Sequence, residues 1–143
     1  MQFASAQFPQ VYEVSTSGGR PIMFSSMPME DISFSANGKT LLYHDKKGYE
    51  DAWRKHHTSS ITRDIWMCTL NDERGYKKLS TFNGEDRNPV WASADTYYYL
   101  SEQNGTFNVF KANINGGNPT QITKHEKHPV RFLSRANNGT LCY

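Results

Sequence analysis

ISFSANGKTLLYH (residues 32–44) and PVWASADTYYYLS (residues 89–101) follow one plan. Each is an apolar strand ending in an aromatic residue, a short turn of small polar residues, and a second apolar strand. In the first, Asn37-Gly38 supplies a pair that accepts positive φ at little cost, a strong local sign of a β-hairpin. A third copy, VRFLSRANNGTLCY (residues 130–143), sets Phe132 in the place taken by Phe34 and Trp91.

A second trio alternates with the first: QVYEVSTSGGRPIMFSS (10–26), DIWMCTLNDERGYKKLSTF (64–82) and NVFKANINGGNPTQITK (108–124). These read as strand, turn, strand, with Gly18-Gly19, Gly75 and Gly116-Gly117 marking the turns. Together the trios make a repeat of four strands. Trp91 to Phe132 spans 41 residues, inside the roughly 40–45 of a four-stranded propeller blade. Phe34 to Trp91 spans 57. The excess falls in YEDAWRKHHTSSITRDIW (49–66), which is therefore an insertion, and residues 46–63 are expected to form an exposed loop or extended hairpin.

No helical period runs through the chain, and turn signals recur every 8 to 12 residues, so the fold class is all-β. A β-sandwich shares that spacing but does not explain a four-strand repeat. The sequence predicts a β-propeller fragment of four-stranded antiparallel blades, with about three blades' worth of strands. Residues 1–143 form a single partial propeller: a half-blade at about 10–25, blades at 29–82 and 88–124, and a half-blade at about 128–143.

The 143 residues carry 16 Lys and Arg against 14 Asp and Glu, interspersed along the chain, for a formal net charge of +2. Nucleic acid and anionic membranes select denser basic patches, so neither is an expected partner. No apolar run reaches the roughly 18 residues of a spanning helix. The opening MQFASAQFPQ lacks the pattern of a signal peptide. Cys68 and Cys142 lie in strand-like runs without metal spacing and read as small hydrophobes.

FSANGKTLLYH resembles the Phe-Ser-Pro-Asp-Gly-Lys signature of the WD-like repeats in TolB and tricorn-protease propellers. Ala36-Asn37 here stands for Pro-Asp, and Ala94 for Pro in the next blade. The runs YHDKKGYEDAWRKHHTSSITRDIW, GEDRNPVW, YYLSEQNGTFNVFK and HPVRFLS…NNGTLCY resemble the N-terminal propeller region of bacterial tricorn-like serine peptidases. The resemblance covers essentially the whole chain. It implies a non-catalytic propeller that admits or guides peptides to a separate protease domain, with a PDZ module between them, in an exported, periplasmic protein. The alternative is a TolB-like protein-interaction propeller with no enzyme attached. No G-x-S-x-G or HExxH motif is present, and the chain is expected to carry no catalytic residue, metal or cofactor.

Propeller connections sort by face. One face collects small polar turns. The other collects the insertion, MPME (27–30), GEDR (84–87), SEQNG (101–105) and KHEKHP (124–129), together with all five histidines at loops or strand ends. Rigidly held loops commonly carry binding residues. The candidates for peptide or partner contact are Trp53, Arg54, His56, His57, Asp86, Arg87, His125 and His128. An arginine there is suited to fork onto a carboxylate, and Trp53 to supply apolar area. The expected partners are a peptide or unfolded-protein substrate, other domains of a parent peptidase, or a second copy in a homodimer that completes a six-bladed ring. Adjacent histidines point apart when extended, which argues against a metal. Glu50, Asp51, Glu85 and Asp86 stand beside Arg54, Lys55 and Arg87, so ion pairing is preferred to acid–base chemistry. The TYYYL run is read as a strand packed between blades.

Overall fold

A computed structural model describes residues 8–48, 58–70 and 73–143. Its described residues form twelve strands and no helix. They are β1 (Val11–Glu13), β2 (Ile22–Ser25), β3 (Met29–Phe34), β4 (Thr40–Asp45), β5 (Ile65–Thr69), β6 (Gly75–Lys78), β7 (Asp86–Trp91), β8 (Thr96–Ser101), β9 (Asn108–Asn113), β10 (Thr120–Gln121), β11 (Ser134–Arg135) and β12 (Leu141–Cys142). Two sheets are complete meanders, β3-β4-β5-β6 and β7-β8-β9-β10, and two are pairs, β1-β2 and β11-β12. All pairings are antiparallel.

The central strands β4, β5 and β8 each serve two cores, because successive side chains point to opposite faces of a sheet. Leu41 and Tyr43 of β4 join Met29 and Cys68, with Val11 and Phe24 of the preceding pair packed on them. Leu42, between them in sequence, faces the other way with Ile65, against Trp91, Tyr97, Tyr99 and Phe110 of the next sheet. The tyrosine run divides likewise. Tyr97 and Tyr99 lie 5.4 Å apart, and Tyr99 lies 5.9 Å from Phe110, while Leu100 points to Val130 and Leu133. Each fully buried side chain of this kind is worth about 1.5–3 kcal/mol.

The hairpin turns set the repeat register. Ser35 N donates to Thr40 O, Ala92 N to Thr96 O, and Ala136 N to Thr140 O, each at 2.8–2.9 Å. Phe34, Trp91 and Arg135 are therefore the matching residues, and they pair with Leu41, Tyr97 and Leu141. This corrects the sequence alignment, which placed Phe132 there. Phe132 lies three residues earlier and is 79% exposed. An aromatic was a poor marker because the slot ahead of the turn accepts an arginine.

The innermost strands each carry a feature that the sequence reading did not foresee. Register shifts fall between Glu30 and Ser33 in β3, and between Arg87 and Val90 in β7. At their centres Asp31 and Asn88 take φ of 51° and 52°. Asp and Asn tolerate this left-handed region better than other side-chain-bearing residues. The two bulges touch: Asn88 Nδ2 donates to Asp31 Oδ2 at 2.5 Å.

Candidate functional site

At the loop-rich face, the strand ends converge on a run of alternating charge. Lys46 Nζ donates to Glu30 Oε1 at 2.9 Å. Glu30 Oε2 lies 3.4 Å from His44 Nε2 and 3.7 Å from Arg63 Nε. Arg63 Nη1 donates to Glu85 Oε1 at 2.6 Å, and Arg87 Nη1 lies 3.5 Å from the same oxygen. Arg87 also lays its guanidinium 4.3 Å from the Phe107 ring centroid, a cation–π contact. The hydrogen bond from His44 leads in holding the Glu30 carboxyl down at about 2, against the opposing effect of burial and with help from Lys46. The Asn88 backbone N–H donates to His44 Nδ1 at 3.2 Å, which leaves the imidazole proton on Nε2, directed at Glu30.

A second cluster lies outward along the same face. Asp64, immediately before β5, accepts from Ser80 Oγ at 3.0 Å, from Lys78 Nζ at 2.8 Å and from Lys47 Nζ. Its backbone N–H donates to Asp45 Oδ1 at 2.8 Å, and Trp66 Nε1 donates to Asp45 Oδ2 at 3.0 Å. Burial pushes the Asp64 pKa up, but the bonds from Lys47, Lys78 and Ser80 outweigh it and the net shift is downward. Ser80 Oγ also accepts from Ile65 N. The next blade repeats this device without charge: Asn108 Oδ1 accepts from Thr123 Oγ1 and from His125 N, while Thr123 Oγ1 accepts from Val109 N.

The structure separates the sequence-predicted residues. Asp86 and Arg87 are the first residues of β7, opposite Ser101 and Leu100, and both are buried. They are strand residues and not part of an exposed loop. Burial is the largest effect on Asp86; with help from Asp64, and against a hydrogen bond involving Ser101, it lifts the carboxyl to about 7. Asp86 Oδ1 has no hydrogen-bond partner among the described residues. Burial lowers the Arg87 pKa against the pull of Glu85. His125 and His128 are exposed, and His125 sits edge-on to Tyr143 at 5.8 Å. Trp53, Arg54, His56 and His57 lie outside the described residues. The expectation of an exposed loop over 46–63 needs correction at its edges. Thr62 is buried, Lys46 and Arg63 are half-buried, and Lys47 is tied to Asp64 and to Thr62 O.

Sequence reasoning passed over Glu30, Lys46, Lys47, Arg63 and Asp64. The signal for Asp64 was present: Asp64 and Ser80, like Asn108 and Thr123, bracket the outer hairpin of their blades at nearly equal separations. Among the described residues, no group of three or more His, Cys, Asp or Glu is placed to hold a metal ion. The arrangement suits ionic and hydrogen-bonded recognition, since most of its charges are already fixed in position by partners.

Face-packed four-stranded meanders around bulged inner strands define a β-propeller segment. The chain belongs to the tricorn protease N-terminal β-propeller domain family, whose model matches residues 1–143. Among solved structures, it is similar to a TolB of Agrobacterium tumefaciens at 17% identity and a TM-score of 0.64, covering 81% of this chain and 38% of that one. It is also similar to a puromycin-hydrolyzing peptidase of Mycobacterium tuberculosis, at 14% identity and a TM-score of 0.61, covering 85% of this chain and 20% of that one. A third is TolB of Acinetobacter baumannii, at 15% identity and a TM-score of 0.52, covering 88% and 31%. The chain thus spans well under half the length of each. No curated protein matches it.

Proposed function

We propose that this domain is a non-catalytic binding and gating propeller of a tricorn-like serine peptidase, exported to the periplasm, that receives peptide or unfolded-protein substrate before cleavage by a separate domain. The observation that carries this reading is the asymmetry of the two faces. One is built of small polar turns such as Ser35–Lys39 and Ser93–Asp95, bonded to themselves. The other carries the Glu30–Arg63–Glu85–Arg87 run, the insertion and exposed His125 and His128. A scaffold whose inner charges are pre-paired loses little side-chain freedom on binding, so exposed residues at its rim make the contact. His125 and His128 are exposed there, and we assign the contact to them together with Trp53, Arg54, His56 and His57 of the insertion, with Arg87 and Asp86 shaping the floor.

The test passes a tryptic digest of a denatured protein over immobilised domain and identifies retained peptides by mass. The expected result is retention by the unaltered domain, reduced at least fivefold by combining Trp53→Ala, Arg54→Ala, His125→Ala and His128→Ala. No retention, or retention indifferent to the four substitutions in a folded domain, overturns the reading.

A further inference from the structure

The chain has five Asn-Gly pairs. In such a pair the glycine nitrogen is free to close on the preceding carboxamide, because glycine has no side chain to stand in the way. Four of the five sit in hairpin or loop turns. The fifth does not.

In the four turns the glycine nitrogen is already committed. Gly38 N donates to Ser35 O at 2.9 Å, Gly105 N to Glu102 O at 2.9 Å, Gly116 N to Asn113 O at 3.1 Å and Gly139 N to Ala136 O at 2.9 Å. Each of these glycines takes a positive φ, from 67° to 107°, the left-handed position that ends a tight turn. Three of the four asparagine side chains are tied as well. Asn37 Oδ1 accepts from Ser35 Oγ and from Lys39 N, Asn104 Nδ2 donates to Gln121 Oε1, and Asn138 Oδ1 accepts from Thr140 N. Asparagine commonly bonds the backbone of its own turn in this way.

Asn83-Gly84 lies in the link that carries the chain from β6 of one complete blade to β7 of the other. Asn83 is exposed, and its carboxamide has no hydrogen-bond partner among the described residues. Gly84 is buried and is not among the glycines of positive φ. The Phe82 ring lies against it so closely that a Cβ at Gly84 would stand 2.2 Å from Phe82 Cε1. The Gly84 N–H donates to no acceptor among the described residues. A buried N–H left so is rare and unfavourable.

We propose that Asn83 is a self-modification site, the asparagine at which the folded domain deamidates. The Gly84 nitrogen loses its proton to base and attacks Asn83 Cγ. The N–Cγ bond forms, the Cγ–Nδ2 bond breaks, and ammonia leaves a five-membered succinimide. Water then adds to one of the two ring carbonyls. Addition at Cγ restores the ordinary chain with aspartate at 83. Addition at the main-chain carbonyl gives isoaspartate, in which the chain runs through the side-chain carbon. Water is the one co-reactant, and nothing is oxidised or reduced. The succinimide nitrogen carries no hydrogen, so closure at Gly84 removes an orphaned donor, whereas at the four turns it breaks the bond that closes the turn. One hydrogen bond of ordinary net strength corresponds to about a tenfold difference in rate.

The position bears on the charged run. Two residues on, Glu85 Oε1 accepts from Arg63 Nη1 at 2.6 Å and lies 3.5 Å from Arg87 Nη1. Asp86 N donates to Arg63 O at 3.0 Å. An isoaspartyl link adds one carbon to the main chain just ahead of these contacts, and either product adds a negative charge two residues from Glu85. Gly84 to Arg87 are all buried, so the extra length displaces them and loosens the second blade's hold on Arg63.

The test incubates the folded domain in mildly alkaline buffer and digests it with trypsin, which sets the five pairs in separate peptides, Asn83 in Leu79–Arg87. That peptide should gain the mass of O in place of NH, and should take methyl label from isoaspartyl methyltransferase, at least about tenfold faster than the peptide of any turn pair. In urea, where the turn bonds and the Phe82 contact are lost, the five rates should draw level. A folded-state rate at Asn83 no greater than at the turns overturns the proposal. So does a lead that persists undiminished in urea, which would place the preference in the local sequence and not in the fold. The isoaspartyl form should also unfold at a lower urea concentration than Asn83→Asp, which has the charge without the added carbon; equal midpoints overturn the consequence for Arg63. Peptide retention is not involved, so this proposal and the binding reading fail independently.

Discussion

The two complete blades are nearly the same scaffold finished in opposite chemistries. At matched positions the β3–β6 blade has His44, Asp45, Arg63, Asp64 and Lys78, where the β7–β10 blade has Leu100, Ser101, Phe107, Asn108 and Gln121. One anchors its outer hairpin through an aspartate that accepts from two lysines. The other uses an asparagine and a threonine with no charge. The difference follows the insertion. The ionic blade carries it, and Lys47 and Arg63, near its two ends, are both pinned by carboxylates. The comparison teaches that the carboxylates hold the insertion's two ends, while the backbone geometry of the blade needs only an acceptor at that position.

The sharpest break is Asp64→Ala. It strands the partners of a buried acceptor and is expected to destabilise by about 3–4 kcal/mol, against about 1–2 kcal/mol for Asn108→Ala, both read by urea unfolding at pH 7. Equal losses would mean that the lysines contribute nothing. Next comes Asp86→Asn. The folded value of Asp86 is about 7, raised from 3.8, so the native state holds a proton that the unfolded chain releases. Stability is fully present below pH 3.8 and is lost as pH rises through 7. The asparagine variant should gain on the order of 2–3 kcal/mol over the unaltered chain at pH 8 and nothing at pH 3.5. A gain independent of pH would sink this account.

A conversion sharpens the contrast. Asp64→Asn combined with Lys78→Gln rebuilds the neutral blade's anchor in the ionic one and should cost only about 1 kcal/mol, because the acceptor for Ser80 survives. Its difference from the unaltered chain should shrink as pH falls below 3.8, since the pKa of Asp64 is lowered in the fold and its contribution is present only above that range. The smallest effect is the hydroxyl itself. Ser80→Ala and Thr123→Val should each cost about 1 kcal/mol, measured as matching shifts in urea midpoint. A larger loss at Ser80 would show that the anchor is coupled to the lysines.

Much of this fold was legible because its determinants are local. Asn37-Gly38 and Asn138-Gly139 mark turns by their own backbone preference, and the alternation in LLYH and YYYLS records two buried faces. The insertion was legible as a break in spacing. What escaped reading was non-local. Nothing about Asp31 or Asn88 in isolation announces a left-handed bulge, because the bulge exists where two inner strands meet. Arg87 looked like a loop arginine because GEDR is polar in sequence; its pairing with Glu85 was expected from their spacing, but the Phe107 ring beneath it comes from the fold. Phe132 misled for the converse reason, since aromatic character was taken as burial where the register gives exposure.

The alternating allegiance of β4, β5 and β8 has a consequence for how the molecule comes apart. A blade is the covalent repeat, but every apolar cluster is shared between neighbouring sheets. The unit that melts is therefore the seam, and each sheet is half of two seams. Such a molecule behaves like a row of nearest-neighbour couplings. A nick inside one blade loosens the blades on both sides, and an excised blade has no core of its own to keep. Amide exchange should accordingly be slowest along β4, β8 and β9, which have sheets on both flanks, and should quicken outward towards either end.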